Sequence, residues 1–88
     1  MKGGGSKMRV FSFVIQTELD VEKLQELVHT VSCFESDTLL SIKGRIVDMK
    51  SILGLCTVMP YSGDEIEVRT SGYDEEEAML AIKRWFCL

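Results

Sequence analysis

Two short runs, Thr38–Ile42 and Arg45–Asp48, are separated by only Lys43 and Gly44. A two-residue loop with glycine in second place favours a tight hairpin turn, so this part of the chain reads as an antiparallel pair of strands. Whatever else the chain forms has to be built around that pair. Two further segments share the strand period. In Met8–Gln16, Phe11, Phe13 and Ile15 lie on one face and Ser12 and Gln16 on the other, with Val14 blurring the alternation. In Glu65–Thr70, Ile66 and Val68 alternate with Glu65, Glu67 and Arg69, the pattern of a half-buried strand.

Elsewhere the helical period takes over. Val21, Leu24, Leu27, Val28 and Val31 form one apolar stripe after the lead-in Thr17–Asp20, and Thr17 or Asp20 can cap that helix. Glu22, Glu26, His29 and Cys33 fall on its solvent side. The last helix opens on Asp74–Glu77, where Asp74 is expected as N-cap and Glu77 completes a variant of the capping box. Ala78, Met79, Ile82 and Phe86 are its expected buried face, flanked by Trp85, while Leu80 points the other way. Lys83 and Arg84 lie near its C-terminus, where cations suit the helix dipole. The resulting order, β-α-β-β-α-β-α, implies an α+β open-faced sandwich: a four-stranded antiparallel sheet with three helices on one face.

The whole chain has 88 residues, enough for one domain, expected over residues 8–88. Met1–Lys7 reads as a flexible Gly/Ser linker or an expression scar, with Met8 a candidate natural start. A net charge of −4 argues against nucleic acid or an anionic membrane as the main partner. No apolar run approaches the ~20 residues of a membrane span, and no secretory leader is read. Cys33, Cys56 and Cys87 are an odd number without CxxC spacing, so neither a disulfide framework nor a zinc site is expected. Reduced thiols in a cytoplasmic protein follow, with no cofactor and no metal.

The stretch Asp48–Met59 carries the most chemistry. Ser51 stands where an irregular segment turns into a short apolar helix, so its hydroxyl can cap the first turn. A phosphate placed there meets free N–H groups and the positive end of the helix. Ile52, Leu53, Leu55, Cys56, Val58 and Met59 are more apolar residues than one face of a short helix can bury. Part of that surface should therefore face outward and serve for docking. The plainer alternative is a capping serine on a helix packed against the sheet.

Gly44–Arg45–Ile46–Val47–Asp48–Met49–Lys50–Ser51–Ile52–Leu53–Gly54 resembles the Gly-Lys-x-Val-Asn-x-Lys-Ser-Ile-Met-Gly pattern of the HPr family. These proteins are the small phosphocarriers of the bacterial phosphoenolpyruvate-dependent sugar phosphotransferase system. Gly63–Asp64–Glu65–Ile66 and Gly72–Tyr73–Asp74–Glu75–Glu76–Glu77–Ala78 are also similar to family patterns, and the resemblance runs from Arg9 to Phe86. It implies the HPr fold.

It also exposes a departure. The family's phosphocarrier motif reads Gly-[aliphatic]-His-Ala-Arg-Pro at the start of the first helix. Here the register holds Glu18–Leu19–Asp20–Val21–Glu22–Lys23, which puts Asp20 at the histidine, Glu22 at the arginine and Lys23 at the proline. Neutral imidazole accepts and releases phosphoryl near pH 7. A carboxylate needs a different preorganised site, and neighbouring acids raise the cost of placing phosphate among them. Enzyme I, the family's histidine-phosphorylating partner, is expected to dock through an acidic surface, so Glu22 and Glu26 oppose it. His29, the only histidine, lies well into the helix and reads as a solvated surface residue.

Ser51 matches the family's regulatory serine, phosphorylated in some bacteria by HPr kinase/phosphorylase. The catabolite repression HPr paralogue is a similar case of a lost histidine and a kept serine. The resemblance thus implies a regulatory or protein-binding module, not an enzyme, without phosphotransfer and under control at Ser51. Val21, Lys50, Ile52, Leu53 and Cys56 are its expected docking residues. The expected partner is a protein, HPr kinase or a regulator, and the expected state a monomer or weak dimer. The alternatives are a phosphocarrier that uses Asp20 as acceptor and a purely structural HPr-fold protein.

Overall fold

The computed structural model describes residues 8–88; the linker expected over residues 1–7 lies outside them. The elements follow in the order β1 (Arg9–Val14), α1 (Val21–Val31), β2 (Asp37–Ile42), β3 (Arg45–Asp48), α2 (Ile52–Val58), β4 (Glu65–Ser71) and α3 (Glu75–Trp85). The strands form one antiparallel sheet in the spatial order β1-β4-β2-β3. The expected hairpin is β2–β3, and its two turn residues both have positive φ, 53° at Lys43 and 76° at Gly44, as a tight primed turn requires. An ion pair from Lys43 Nζ to Asp64 Oδ2 at 3.3 Å steadies that corner.

Register decides which side chains enter the core. Phe11 faces Val68, Val68 faces Leu40 and Leu40 faces Val47, one apolar row across all four strands. The opposite face carries Ser12, Ser41, Glu65 and Glu67, the polar half of the alternation read from the sequence. The expected first strand, Met8–Gln16, is longer than β1. Its end is held outside the ladder, because the Ile15 N–H donates to the Asp64 carbonyl at 2.8 Å and the Gly63 N–H donates to the Ile15 carbonyl at 2.7 Å.

The helices cover the apolar face. Leu24, Leu27 and Val31 of α1, Leu55 of α2 and Ile82 of α3 are almost fully buried, together with Ile15, Leu40, Met49, Ile66 and Val68. Each fully buried aliphatic side chain contributes about 1.5–3 kcal/mol relative to an exposed one. The helix α1 packs against both α2 and α3 and so forms the middle of the helical layer. Leu80 is half exposed on the far side of α3, as its position in the helical pattern implies.

One expected cap does not form. The Asp74 side chain makes no cap bond to α3. Its carboxylate instead accepts the Glu35 N–H at 3.0 Å, the Ser36 N–H at 2.9 Å and the Ser36 hydroxyl. The segment between α1 and β2 has N–H groups without partners of its own, and the start of α3 lies against it. Three donors aimed at one carboxylate outweigh a single cap bond. Glu75 takes over at the helix start: it is buried, accepts the Gly72 N–H at 3.0 Å, and lies 3.6 Å from the Arg9 guanidinium.

Candidate functional site

The entry to α1 is built on Leu19 and Asp20. Leu19 is buried and anchors the lead-in, while Asp20 is exposed and extended, with its Oδ1 accepting the Lys23 N–H at 2.8 Å. Asp20, not Thr17, is therefore the N-cap, and the carboxylate is engaged in satisfying one of the orphan donors of the first turn. Val21 and Glu22 follow at once, both exposed. Glu18, Asp20 and Glu22 thus put three carboxylates at this helix start and lead-in, against the single ammonium of Lys23. Anions suit the positive end of a helix dipole, so the cluster stabilises the helix, but it makes a poor seat for a further dianion.

Ser51 begins α2. Its Oγ accepts the Gly54 N–H at 3.1 Å, and its own N–H donates to the Asp48 carbonyl at 3.0 Å. The residue is partly exposed. Met49 anchors the turn before it: the side chain is fully buried and its N–H donates to the Thr38 carbonyl at 2.8 Å. Lys50 is less available than its charge implies, because its Nζ donates to the Phe34 carbonyl at 2.8 Å, beyond the C-terminus of α1. On α2 itself the surplus of apolar residues divides as the pattern requires. Leu55 and Val58 enter the core, Ile52 and Cys56 are half buried against it, and Leu53 is 77% exposed. Leu53 on α2 and Val21 on α1, itself 48% exposed, are bare apolar side chains on two helices that pack together.

Two carboxyls stand below their ordinary range. Asp74 is lowered chiefly by the Ser36 hydroxyl and then by the Glu35 and Ser36 N–H groups. Asp64 is lowered by the Tyr61 N–H first and by Lys43 in addition. Both lie in structural ties. Among the described residues no group of three or more His, Cys, Asp or Glu is arranged to hold a metal ion. Cys33 and Cys87 are exposed free thiols and Cys56 is a half-buried one. Among the described residues no helix is long and apolar enough to cross a membrane.

A family model described as the PTS HPr component phosphorylation site matches residues 10–87. The chain belongs to the HPr family. The phosphocarrier protein HPr of Xylella fastidiosa strain Temecula1 is 46% identical over 61 residues, which cover 69% of this chain and 68% of the relative. HPr from Bacillus anthracis strain Ames has the same fold at a TM-score of 0.84 and 25% identity, over 89% of this chain and 95% of that one. The Bacillus subtilis catabolite repression protein CRH is similar at a TM-score of 0.72 and 30% identity, over 81% and 82% of the two chains. CRH is described as a swapped dimer. HPr proteins are phosphocarriers of the phosphotransferase system.

Several contacts around the site escape sequence reasoning. The hold of Lys50 on Phe34 joins residues sixteen apart in the chain, and the Asp74 tie to Ser36 spans thirty-eight. Nothing periodic marks either. The burial of Glu75 is equally silent, since in the sequence it is one of four consecutive acids.

Proposed function

We propose that this HPr-family chain is a cytoplasmic regulatory module that binds a protein partner and does not relay phosphoryl groups. The observation that carries the proposal is the state of Asp20. At the position where the family pattern has histidine, its carboxylate is spent on capping α1 through the Lys23 N–H at 2.8 Å. An acyl phosphate on the other oxygen would leave Oδ1 a neutral carbonyl acceptor, so the charge-assisted cap bond would weaken. It would also bring negative charge beside Glu18 and Glu22, where the family pattern supplies a guanidinium that can hold phosphate.

The docking surface in this reading is apolar, made of Val21, Leu53 and the outward parts of Ile52 and Cys56, with Lys50 at its border. Ser51 is the control point. Its phosphorylation adds about −1.5 to −2 charges at the start of α2, on the edge of that surface. HPr kinase and a regulator that reads the phosphoserine are the partners the reading names.

Two incubations test it. With phosphoenolpyruvate, enzyme I and labelled phosphate, the protein is expected to stay unlabelled. With HPr kinase and labelled ATP, it is expected to take label at Ser51, and Ser51→Ala is expected to abolish it. Label on Asp20, recognised by its lability to hydroxylamine, would establish a carrier instead. Equal labelling of Ser51→Ala and the parent would remove the control point.

A further inference from the structure

We propose that the groove between the outer side of α1 and the end of α3 binds an arginine side chain presented by a basic segment of a partner protein. The groove has a volume of about 530 Å³ and is lined by Glu22, Gln25, Glu26, His29, Thr30 and Trp85. Neither Val21 nor Leu53 lines it, and the proposal does not rest on Ser51 or on the fate of Asp20.

Three properties of the lining select the occupant. The first is the indole. Trp85 is half buried, and its ring meets that of Phe86 edge-on, with centroids 4.9 Å apart and planes at 82°. The ring is therefore held in place by the core while part of it stays open to the groove. An indole is the best aromatic partner for a cation, and a guanidinium can stack flat on it.

The second is charge. Glu22 and Glu26 are four residues apart and so neighbours on one face of α1. Among the described residues no cation pairs with either carboxylate. The nearby cations of α3 are otherwise placed: Lys83 sits over the Phe11 ring at 4.2 Å from its centroid, and Arg84 does not line the groove. The rim thus carries two acids with no salt bridge among the described residues, with His29 beside them, on a chain with a net charge of −4.

The third is shape. The groove walls are largely the indole and the aliphatic stems of long side chains, which suit the methylene stem of an arginine. A flat apolar stem, a planar cation and a fork of N–H donors are what this combination of wall and rim can hold. An arginine clamped between Trp and carboxylates is also the kind of anchor that dominates binding energy at protein interfaces. Lysine would keep the charge but lose the stacking and the paired donors.

Trp85 is the only tryptophan in the chain, so its fluorescence reports on the groove directly. The probe is the blocked tripeptide N-acetyl-Gly-Arg-Gly-amide, titrated at low salt into the intact protein. Its control is the same tripeptide with citrulline, which keeps the shape and removes the charge. A saturable change with the arginine peptide and none with the citrulline peptide is expected. The double variant Glu22→Gln/Glu26→Gln, at two exposed positions, is expected to weaken binding by about tenfold or more. No saturable response, an equal response to citrulline, or unchanged binding by the double variant each overturns the proposal.

Discussion

Replacing Gly72 by alanine tests the tie between α3 and the segment after α1. Gly72 has φ +152°, a backbone conformation that costs a side-chain-bearing residue about 1–3 kcal/mol. The added Cβ would also lie 2.5 Å from the Ser36 Oγ and 2.8 Å from the Ser36 Cα. Ser36 cannot simply step aside, because its N–H and hydroxyl are both bound to the Asp74 carboxylate. Forcing an extra methyl against such a neighbour costs a further 1–3 kcal/mol or so. The sum, about 4 kcal/mol, is a large share of the ~4–13 kcal/mol available to a chain of this size. At roughly 4–8 °C per kcal/mol, Tm should fall by about 15 °C or more. The assay is urea and thermal unfolding followed by circular dichroism, with Gly44→Ala as the control. Gly44 also has positive φ, +76°, but no heavy atom lies within 4 Å of its added Cβ, so only the backbone strain of about 1–2 kcal/mol applies. If the two variants unfold at the same urea concentration, the argument from the Ser36 contact is refuted.

Other perturbations have equally definite outcomes. Rebuilding the family motif with Glu18→Gly, Asp20→His, Val21→Ala, Glu22→Arg and Lys23→Pro should produce labelling by enzyme I and phosphoenolpyruvate where the parent is expected to show none; continued silence would mean that the obstacle lies elsewhere in the chain. Ser51→Ala removes the acceptor of the Gly54 N–H and should lower stability by about 1 kcal/mol, read as a shifted urea midpoint with an unchanged slope. The Asp74 carboxyl is held below its ordinary value of 3.8 in the folded state, so its contribution is fully present above that pH. It is lost as the pH falls from about 3.8 through the lowered folded value, and Asp74→Asn should flatten the stability profile in that acid window.

The period of the apolar residues made the fold readable. Phe11, Ile66, Val68 and Leu40 alternate because their strands have one wet face, and Leu24, Leu27 and Val31 recur as a single dry stripe requires. The short turn at Lys43–Gly44 gave the antiparallel pairing of β2 with β3. For the candidate site, Ser51 could be placed as a cap, and Asp20 as one of two candidates beside Thr17, because capping depends on neighbours a few residues on. Asp74 shows the limit of the same reasoning: the rule that makes an acid before a helix its cap holds only when no stronger donors arrive from elsewhere. Ser36 and Glu35 do arrive, from a segment nearly forty residues earlier. The groove beside Trp85 was hidden for a related reason. An aromatic near a helix end reads as core, and only the packing of α1 against α3 leaves part of the indole uncovered.

The grip of Lys50 on Phe34 has a reach greater than one hydrogen bond. That ammonium is adjacent in sequence to the serine proposed for modification, and a phosphoryl group there would compete for it. Were the lysine to change allegiance, the Phe34 carbonyl would lose its donor, and the next two residues are the ones clasped by Asp74. A chemical mark on one short helix would in that event be felt as slack in the anchorage of another, through a handful of covalently consecutive atoms and no wholesale rearrangement.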